Sequence, residues 1–296
     1  MVNYREMTCS IACNKLKRNL PFSWDLNIYR GCEHGCKYCY AIYSHQYLDS
    51  EQYFNDIFVK TNIVEQLEKQ LSSASWKREI INIGGVTDSY QPIEAEKRIM
   101  PEILRLLIKY QTPCIISTKS DLILRDYDLI AELADITYVN IAATITCMDE
   151  VVRKKIEPQG APSLNRFAML KAFANTNAST GLHFMPIIPF LTDTNDNIDA
   201  LYAQAAACAV DYVLPGVLYL RGKTRGVFFD FISEEFPQLY EPLRALYIKG
   251  SAGKEYKDQL YLRVNSLKNH YGLSSSYSKP RKEKLKQLSK EQLSLF

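Results

Sequence analysis

Residues 25–41 read DLNIYRGCEHGCKYCYA. The first six form a strand candidate, and a loop carrying Cys32, Cys36 and Cys39 follows it at once. Barrels and open α/β sheets carry their chemistry on loops at the C-terminal ends of strands. Gly31 and Gly35 let the backbone wrap closely around something bulky. Three thiolates in a C-x3-C-x2-C spacing can hold three corners of a cubane iron–sulfur cluster, whose full set is four cysteines, and leave one iron open to a substrate. The alternative is a zinc ion with His34, His45 or Cys13 as fourth ligand. Zinc sites more commonly pair two C-x2-4-C units, and the bacterial ferredoxin run has the different spacing C-x2-C-x2-C.

Outward from this loop, strand candidates at 25–30, 79–84, 113–118, 136–146, 181–188 and 211–220 alternate with helix candidates near 61–73, 95–110, 122–134, 162–176 and 196–208. The runs EIINIGG and PCIISTK are apolar on both faces, as in a parallel sheet covered on both sides. The repeated β–α order predicts an α/β fold, a partial (β/α)6 barrel, with an open doubly wound sheet as the alternative. Helical stretches near 238–249 and 254–271 then give way to SSSYSKPRKEKLKQLSKEQLSLF. Its Ser, Lys and Pro content reads as a mobile basic tail, with a short helix compatible with 281–295. The expected organisation is an N-terminal extension (1–20), a core barrel (21–220), a helical C-terminal extension (221–275) and the tail (276–296). GSAGKE at 250–255 lacks the spacing of a phosphate loop and reads as a helix–helix turn.

An apolar content of 47% over 296 residues excludes disorder as a description of the whole chain. No apolar run is long enough for a membrane span and the N-terminus lacks a secretory pattern, so a cytoplasmic location without membrane contact is expected. Residues 279–291 hold six basic and two acidic side chains, which leaves the rest of the chain nearly neutral. Attraction to a polyanion therefore comes from the tail or from local patches. Cys114 and Cys208 sit in apolar surroundings and read as small core residues. Cys9 and Cys13 read as packing residues on a short helix ahead of the barrel, with a second metal site as the weaker alternative.

The cysteine spacing, with Tyr38 just before Cys39, resembles the radical S-adenosylmethionine (radical SAM) superfamily. Within it the chain is similar to the spore photoproduct lyase branch. RGCEHGCKYCYA (30–41), GGVTDSYQPIE (84–94), STKS (117–120), AATIT (142–146) with KKIEPQGAP (154–162), and MPIIPFLTD (185–193) come in that branch's order. The resemblance implies a [4Fe–4S] cluster on Cys32, Cys36 and Cys39 and S-adenosylmethionine (SAM) on its open iron. It implies that Gly84 and Gly85 meet the methionine end of SAM. Thr87 and Asp88 would lie near its amino group, Lys119 at its carboxylate, Thr144 (or Thr146) at the ribose and Ile187 at the adenine. An electron donor such as flavodoxin or ferredoxin is implied as well. Glu157 and Arg166 read as a structural ion pair.

One departure bears on the reaction. The lyase has a hydrogen-donating cysteine immediately before its Ser–Asp pair, and here that position is Val86. Cys147 and Tyr90 are weak candidates to replace it. The C-terminal QLSLF resembles the pentapeptide with which bacterial DNA enzymes bind the replication sliding clamp, with Leu293, Leu295 and Phe296 as apolar anchors and Gln292 for hydrogen bonds. The alternative is a terminus that folds back on its own core. The clamp reading favours a nucleic acid substrate, with damaged DNA foremost. The rivals are a radical SAM enzyme acting on a peptide or small molecule, and a non-catalytic metal-binding protein tethered to DNA machinery.

Overall fold

The computed structural model describes residues 2–17, 20–48, 50–280 and 282–283. Strands β1 (Asn3–Met7), β2 (Cys13–Lys15), β3 (Trp24–Leu26), β4 (Tyr29–Arg30) and β5 (Asp56–Lys60) precede helix α1 (Ile63–Leu71). Next come β6 (Ile81–Ile83), α2 (Glu94–Lys97), α3 (Ile99–Lys109), β7 (Cys114–Thr118), α4 (Tyr127–Ile136) and β8 (Val139–Thr144). Then follow α5 (Glu150–Ile156), α6 (Ser163–Phe173), β9 (Ser179–Ile187), α7 (Asn195–Ala207) and β10 (Tyr212–Val217). Helices α8 (Lys223–Glu235), α9 (Tyr240–Leu246) and α10 (Lys254–His270) complete the chain's described elements.

The main sheet runs β10-β9-β8-β7-β6-β3-β2. From β3 to β10 all neighbours are parallel, and only β2 at the edge is antiparallel. This is the partial (β/α)6 barrel expected from the alternation of strands and helices. Its outer face presents Ile83, Ile116, Ile141 and Leu182 to the helices. Helix α3 answers with Met100, Ile103, Leu104 and Leu107, the i, i+3, i+4, i+7 stripe of an amphipathic helix. Because side chains alternate along a strand, the register places Asn82, Ile115, Asn140 and Ser179 in one inward row, and Thr144 beside His183 nearer the mouth. Ile80, Ile115 and Tyr138 pack with Phe22 and Tyr277 at the opposite end.

Several expectations are corrected. The strand expected at 25–30 is two strands in different sheets: β3 joins the barrel, while β4 pairs with β5 in a small sheet ordered β1-β5-β4. Cys13 opens strand β2 and Cys9 lies in the preceding loop, so neither is on a helix. Asn62 just before α1 and Gln70 in its last turn fasten this segment by hydrogen bonds to the backbone of Cys9 and Cys13. The helix expected over 95–110 is broken at Arg98, whose φ is 50°. Helices α5 and α8 were not expected. Residues 250–253 lie between α9 and α10, with 254–255 opening α10, and Cys114 and Cys208 are buried. Among the described residues no helix is long and apolar enough to cross a membrane. Gln292, Leu293, Leu295 and Phe296 lie outside the described residues.

Candidate cluster and cofactor site

The loop 31–39 leaves β4 and enters a 3-10 helix, Tyr40–Tyr47. Its first turn requires glycine. Gly31 has φ +84°, and a Cβ there would lie 2.6 Å from the Asp56 carbonyl oxygen. Gln91, fully buried, holds the loop from inside: its Oε1 accepts the Glu33 N–H at 2.9 Å, and its Nε2 donates to the Gly31 oxygen at 3.3 Å. Cys32 and Cys36 are buried, Cys39 is half-buried, and all three are free thiols. Burial pushes all three up, Cys36 to about 12 even with the Lys119 ammonium nearby. Such thiols become thiolates when a metal centre replaces their protons.

Asp88 is the second anchor. It accepts hydrogen bonds from His34 Nε2 (2.9 Å), Thr118 Oγ1 (2.8 Å), the Lys119 N–H (2.9 Å) and the Tyr90 N–H (2.9 Å). Burial pushes this carboxyl up, but His34 and the backbone donors outweigh it and hold Asp88 at about 2. The other ring nitrogen of His34 faces the Gln159 carbonyl at 3.1 Å. Asp88 thus ties the cysteine loop to the end of β7. A ligand amine would have to compete with these protein donors for its oxygens. Thr87 is similarly engaged, donating to the Gly31 oxygen at 2.5 Å and accepting from Gln91 at 3.1 Å.

Of the two expected glycines, Gly84 has φ +87°, whereas Gly85 is demanded by a close approach. A Cβ on Gly85 would sit 2.3 Å from Asp25 Oδ1. Asp25 is fixed there by Asn27 and Asn82 at 2.6 and 2.8 Å. The space beside Gly85 is therefore filled by the protein itself.

Lys119 lies at the mouth, its ammonium 5.7 Å from the centroid of the Tyr38 ring. Burial pushes it down, but Cys36, Glu157 and Asp88 around it outweigh burial and hold it above its ordinary value. The Tyr38 hydroxyl donates to Glu157, which also meets Arg166 at 2.5 Å, with both members of that ion pair fully buried. Arg166 donates further to the Thr144 and Ala161 carbonyls, each at 2.7 Å. The expected ion pair is thus the brace between the cluster loop and the end of β8. Thr144 ends that strand and Thr146 donates to Glu157 at 3.2 Å. Ile187, at the end of β9, is fully buried in the main core.

The candidate fourth zinc ligands are held elsewhere. His34 serves Asp88 and Gln159, His45 Nε2 faces the Asp56 oxygen at 3.0 Å, and Cys13 packs in the main core. Among the described residues no three His, Cys, Asp or Glu side chains form a group that could hold a single metal ion. Reading the sequence missed Gln91, Asp25 and the bond of His34 to Asp88, having named His34 only as a zinc ligand. Each lies more than fifty positions from a partner, and only their polar character in apolar surroundings hinted at a role.

The family model described as the radical SAM superfamily matches residues 26–201, from β3 into α7. An uncharacterized protein of Mycobacterium tuberculosis is 33% identical over 282 residues, which cover 93% of this chain and 83% of that protein. An uncharacterized protein of Methanocaldococcus jannaschii is 26% identical over 270 residues, covering 88% and 95%. Among solved structures, spore photoproduct lyase complexed with dinucleoside spore photoproduct superposes with a TM-score of 0.65 at 13% identity, over 90% of this chain and 79% of that one. At that identity the likeness is one of fold. The chain belongs to the radical SAM superfamily and has the fold of its spore photoproduct lyase branch.

Proposed function

We propose that this radical SAM enzyme acts on nucleic acid, in a lyase-type reaction related to the repair of damaged DNA. One observation carries the chemistry: three free, largely buried thiols on a single loop at the C-terminal mouth of a parallel barrel, beside the Lys119 ammonium. The donor set fits a [4Fe–4S] cluster with one open iron, because Cys32, Cys36 and Cys39 are in no disulfide and their loop is fastened by Gln91 and His34. When bound there, the cluster and SAM supply a 5′-deoxyadenosyl radical.

The chain's own residues supply placement. Lys119 offers its ammonium to the SAM carboxylate, and no protein acceptor takes a hydrogen bond from it among the described residues. Gly84 and Gly85 offer backbone to the methionine end, Thr144 a hydroxyl to the ribose, and the segment around Ile187 an apolar wall to the adenine. The Glu157–Arg166 brace keeps Tyr38 and the end of β8 in register. Asp88 and Thr87 act from behind, by fixing the cysteine loop. Lys119→Ala should weaken equilibrium binding of SAM about ten- to a hundredfold, the value of a hydrogen bond to a charged group. Unchanged binding would remove Lys119 from the site.

Support for a nucleic acid substrate comes from the shared fold with a lyase solved with a dinucleoside photoproduct, and from the QLSLF terminus, for which we propose the sliding clamp as partner. The outcome differs from photoproduct reversal. Val86 packs beside Cys32 and its backbone oxygen accepts the Tyr53 hydroxyl at 2.8 Å, so the lyase's thiol position holds an aliphatic side chain. Tyr90 is fully buried with its hydroxyl on Asp126, and Cys147 is buried with its thiol on the Asp149 carbonyl at 3.5 Å. Neither is an open hydrogen donor. The test is 5′-deoxyadenosine formation by anaerobically reconstituted, reduced protein with and without ultraviolet-irradiated DNA. Stimulation by the damaged DNA is expected. No stimulation by any nucleic acid would move the substrate to a peptide or small molecule.

A further inference from the structure

Helix α8 rests directly on the cysteine loop. Thr224 in its first turn donates its hydroxyl to the Cys39 carbonyl at 2.9 Å. Val227 packs with Cys32, Ala41 and Ile42, and Phe228 and Phe229 share an apolar cluster with Cys36 and Tyr38. On the outer side of this contact the helix opens onto a cleft of about 400 Å³, lined by Gly222, Arg225, Gly226, Phe229, Tyr240 and Arg244. Arg225 lies 4.9 Å over the Phe229 ring and Arg244 5.7 Å over the Tyr240 ring. Stacking of this kind holds a guanidinium in place; Arg225 gives one edge to the Tyr247 carbonyl, and Arg244 is exposed. Arg221 extends the positive surface at the entry to the helix, while Lys223 beside it is paired with Glu51 at 2.8 Å.

The charge is placed against the helix's own interest. The N-terminal end of a helix carries a partial positive charge and favours acidic side chains. The first turn of α8 has none, and holds Lys223 and Arg225 with Arg221 just ahead. Its acids, Asp230, Glu234 and Glu235, sit toward the other end. Thus a positive patch with an aromatic floor lies one layer of side chains outside the cysteines.

We propose that this α8–α9 cleft is the docking site of the electron donor, a small acidic protein carrying a reduced one-electron group. The inference rests on the radical SAM reading, which requires an electron from outside. Docking transfers one electron: the carrier is oxidised by one electron, the cluster is reduced by one, and no bond is made or broken. Two features favour an acidic carrier over nucleic acid here. The patch adjoins the backs of Cys36 and Cys39 rather than the barrel interior, and electron transfer weakens steeply with distance. Its few guanidinium groups around an apolar floor also suit the small, charge-steered interface of a transient redox pair.

The test uses a bacterial flavodoxin as the acidic probe and the reconstituted full-length protein. Binding is measured by calorimetry at low and high salt. Cluster reduction by reduced flavodoxin is followed as loss of visible absorbance, and 5′-deoxyadenosine is measured with dithionite in place of flavodoxin. Arg225 Nη1 donates to the Tyr247 carbonyl at 2.6 Å, so its replacement risks disturbing the fold. Exposed Arg244 is therefore changed alone as well as in the pair. R244E should weaken flavodoxin binding about tenfold at low salt, R225E/R244E by more, and R244K little. Reduction by flavodoxin should slow in step, while dithionite-driven 5′-deoxyadenosine stays as in the wild type. Flavodoxin binding and reduction unchanged in both charge-reversed variants would overturn the proposal. So would loss of single-stranded oligonucleotide binding with flavodoxin binding intact, which would make the cleft a nucleic acid site. Failure of the wild type to cleave SAM with dithionite would count against the radical reading instead, since the binding comparison does not depend on it.

Discussion

Gly85 shows that a residue matching a binding pattern can answer a packing demand as well. Its missing side chain leaves room for the Asp25 carboxylate, 2.3 Å from where a Cβ would stand. Gly85→Ala should cost about 1–3 kcal/mol in denaturant unfolding, the usual price of overpacking. Asp25→Ser in the same chain should recover most of that loss, and strictly additive effects would show that the two do not meet. The Glu157–Arg166 pair gives a second test. Both side chains are fully buried, so Arg166→Met strands a charge and should destabilise by about 3–5 kcal/mol. Glu157→Leu added to it should restore much of the stability while loosening Tyr38. The pair was legible from sequence because its members lie nine positions apart around one loop. The His34–Asp88 contact, across 54 positions, was not.

At the scale of elements, the barrel strands were legible because each is an apolar run between turn signals. The small sheet was not. Strand β1, Asn3–Met7, is mostly exposed and polar, and β4 is only two residues long. Helix α8 was missed because Gly226 and three phenylalanines obscure its periodicity, yet it is the element that seats the cysteine loop. Strand β9 makes a pH prediction. Its His183 faces inward, with Nε2 3.2 Å from the Tyr212 hydroxyl, which itself donates to Asn140. Burial, and then the Lys119 charge, push this imidazole down to about 4. The unfolded chain therefore takes up a proton below its ordinary value near 6.5, where the folded chain does not. Stability should fall as pH drops from 6.5 toward 4, by about 3 kcal/mol from this group. His183→Asn should flatten that slope in denaturant melts across the range. An unchanged slope would show that His183 protonates freely in the fold.

At the scale of the molecule, one parallel barrel gathers the ends of β6, β7 and β8 around the loop that follows β4. Asp88, Lys119 and Thr144 thereby come to a single mouth from distant parts of the chain. That convergence explains why ordered short motifs could indicate the fold, while the bonds among them could be read only in three dimensions. The account's central claim is that Cys32, Cys36 and Cys39 support radical cleavage of SAM. Its most direct test is 5′-deoxyadenosine formation by the reduced, reconstituted protein beside Cys36→Ala. The wild type should form 5′-deoxyadenosine, and Cys36→Ala should form none. No product from wild-type protein shown to hold a full [4Fe–4S] cluster with SAM bound, or equal product from Cys36→Ala, would contradict it.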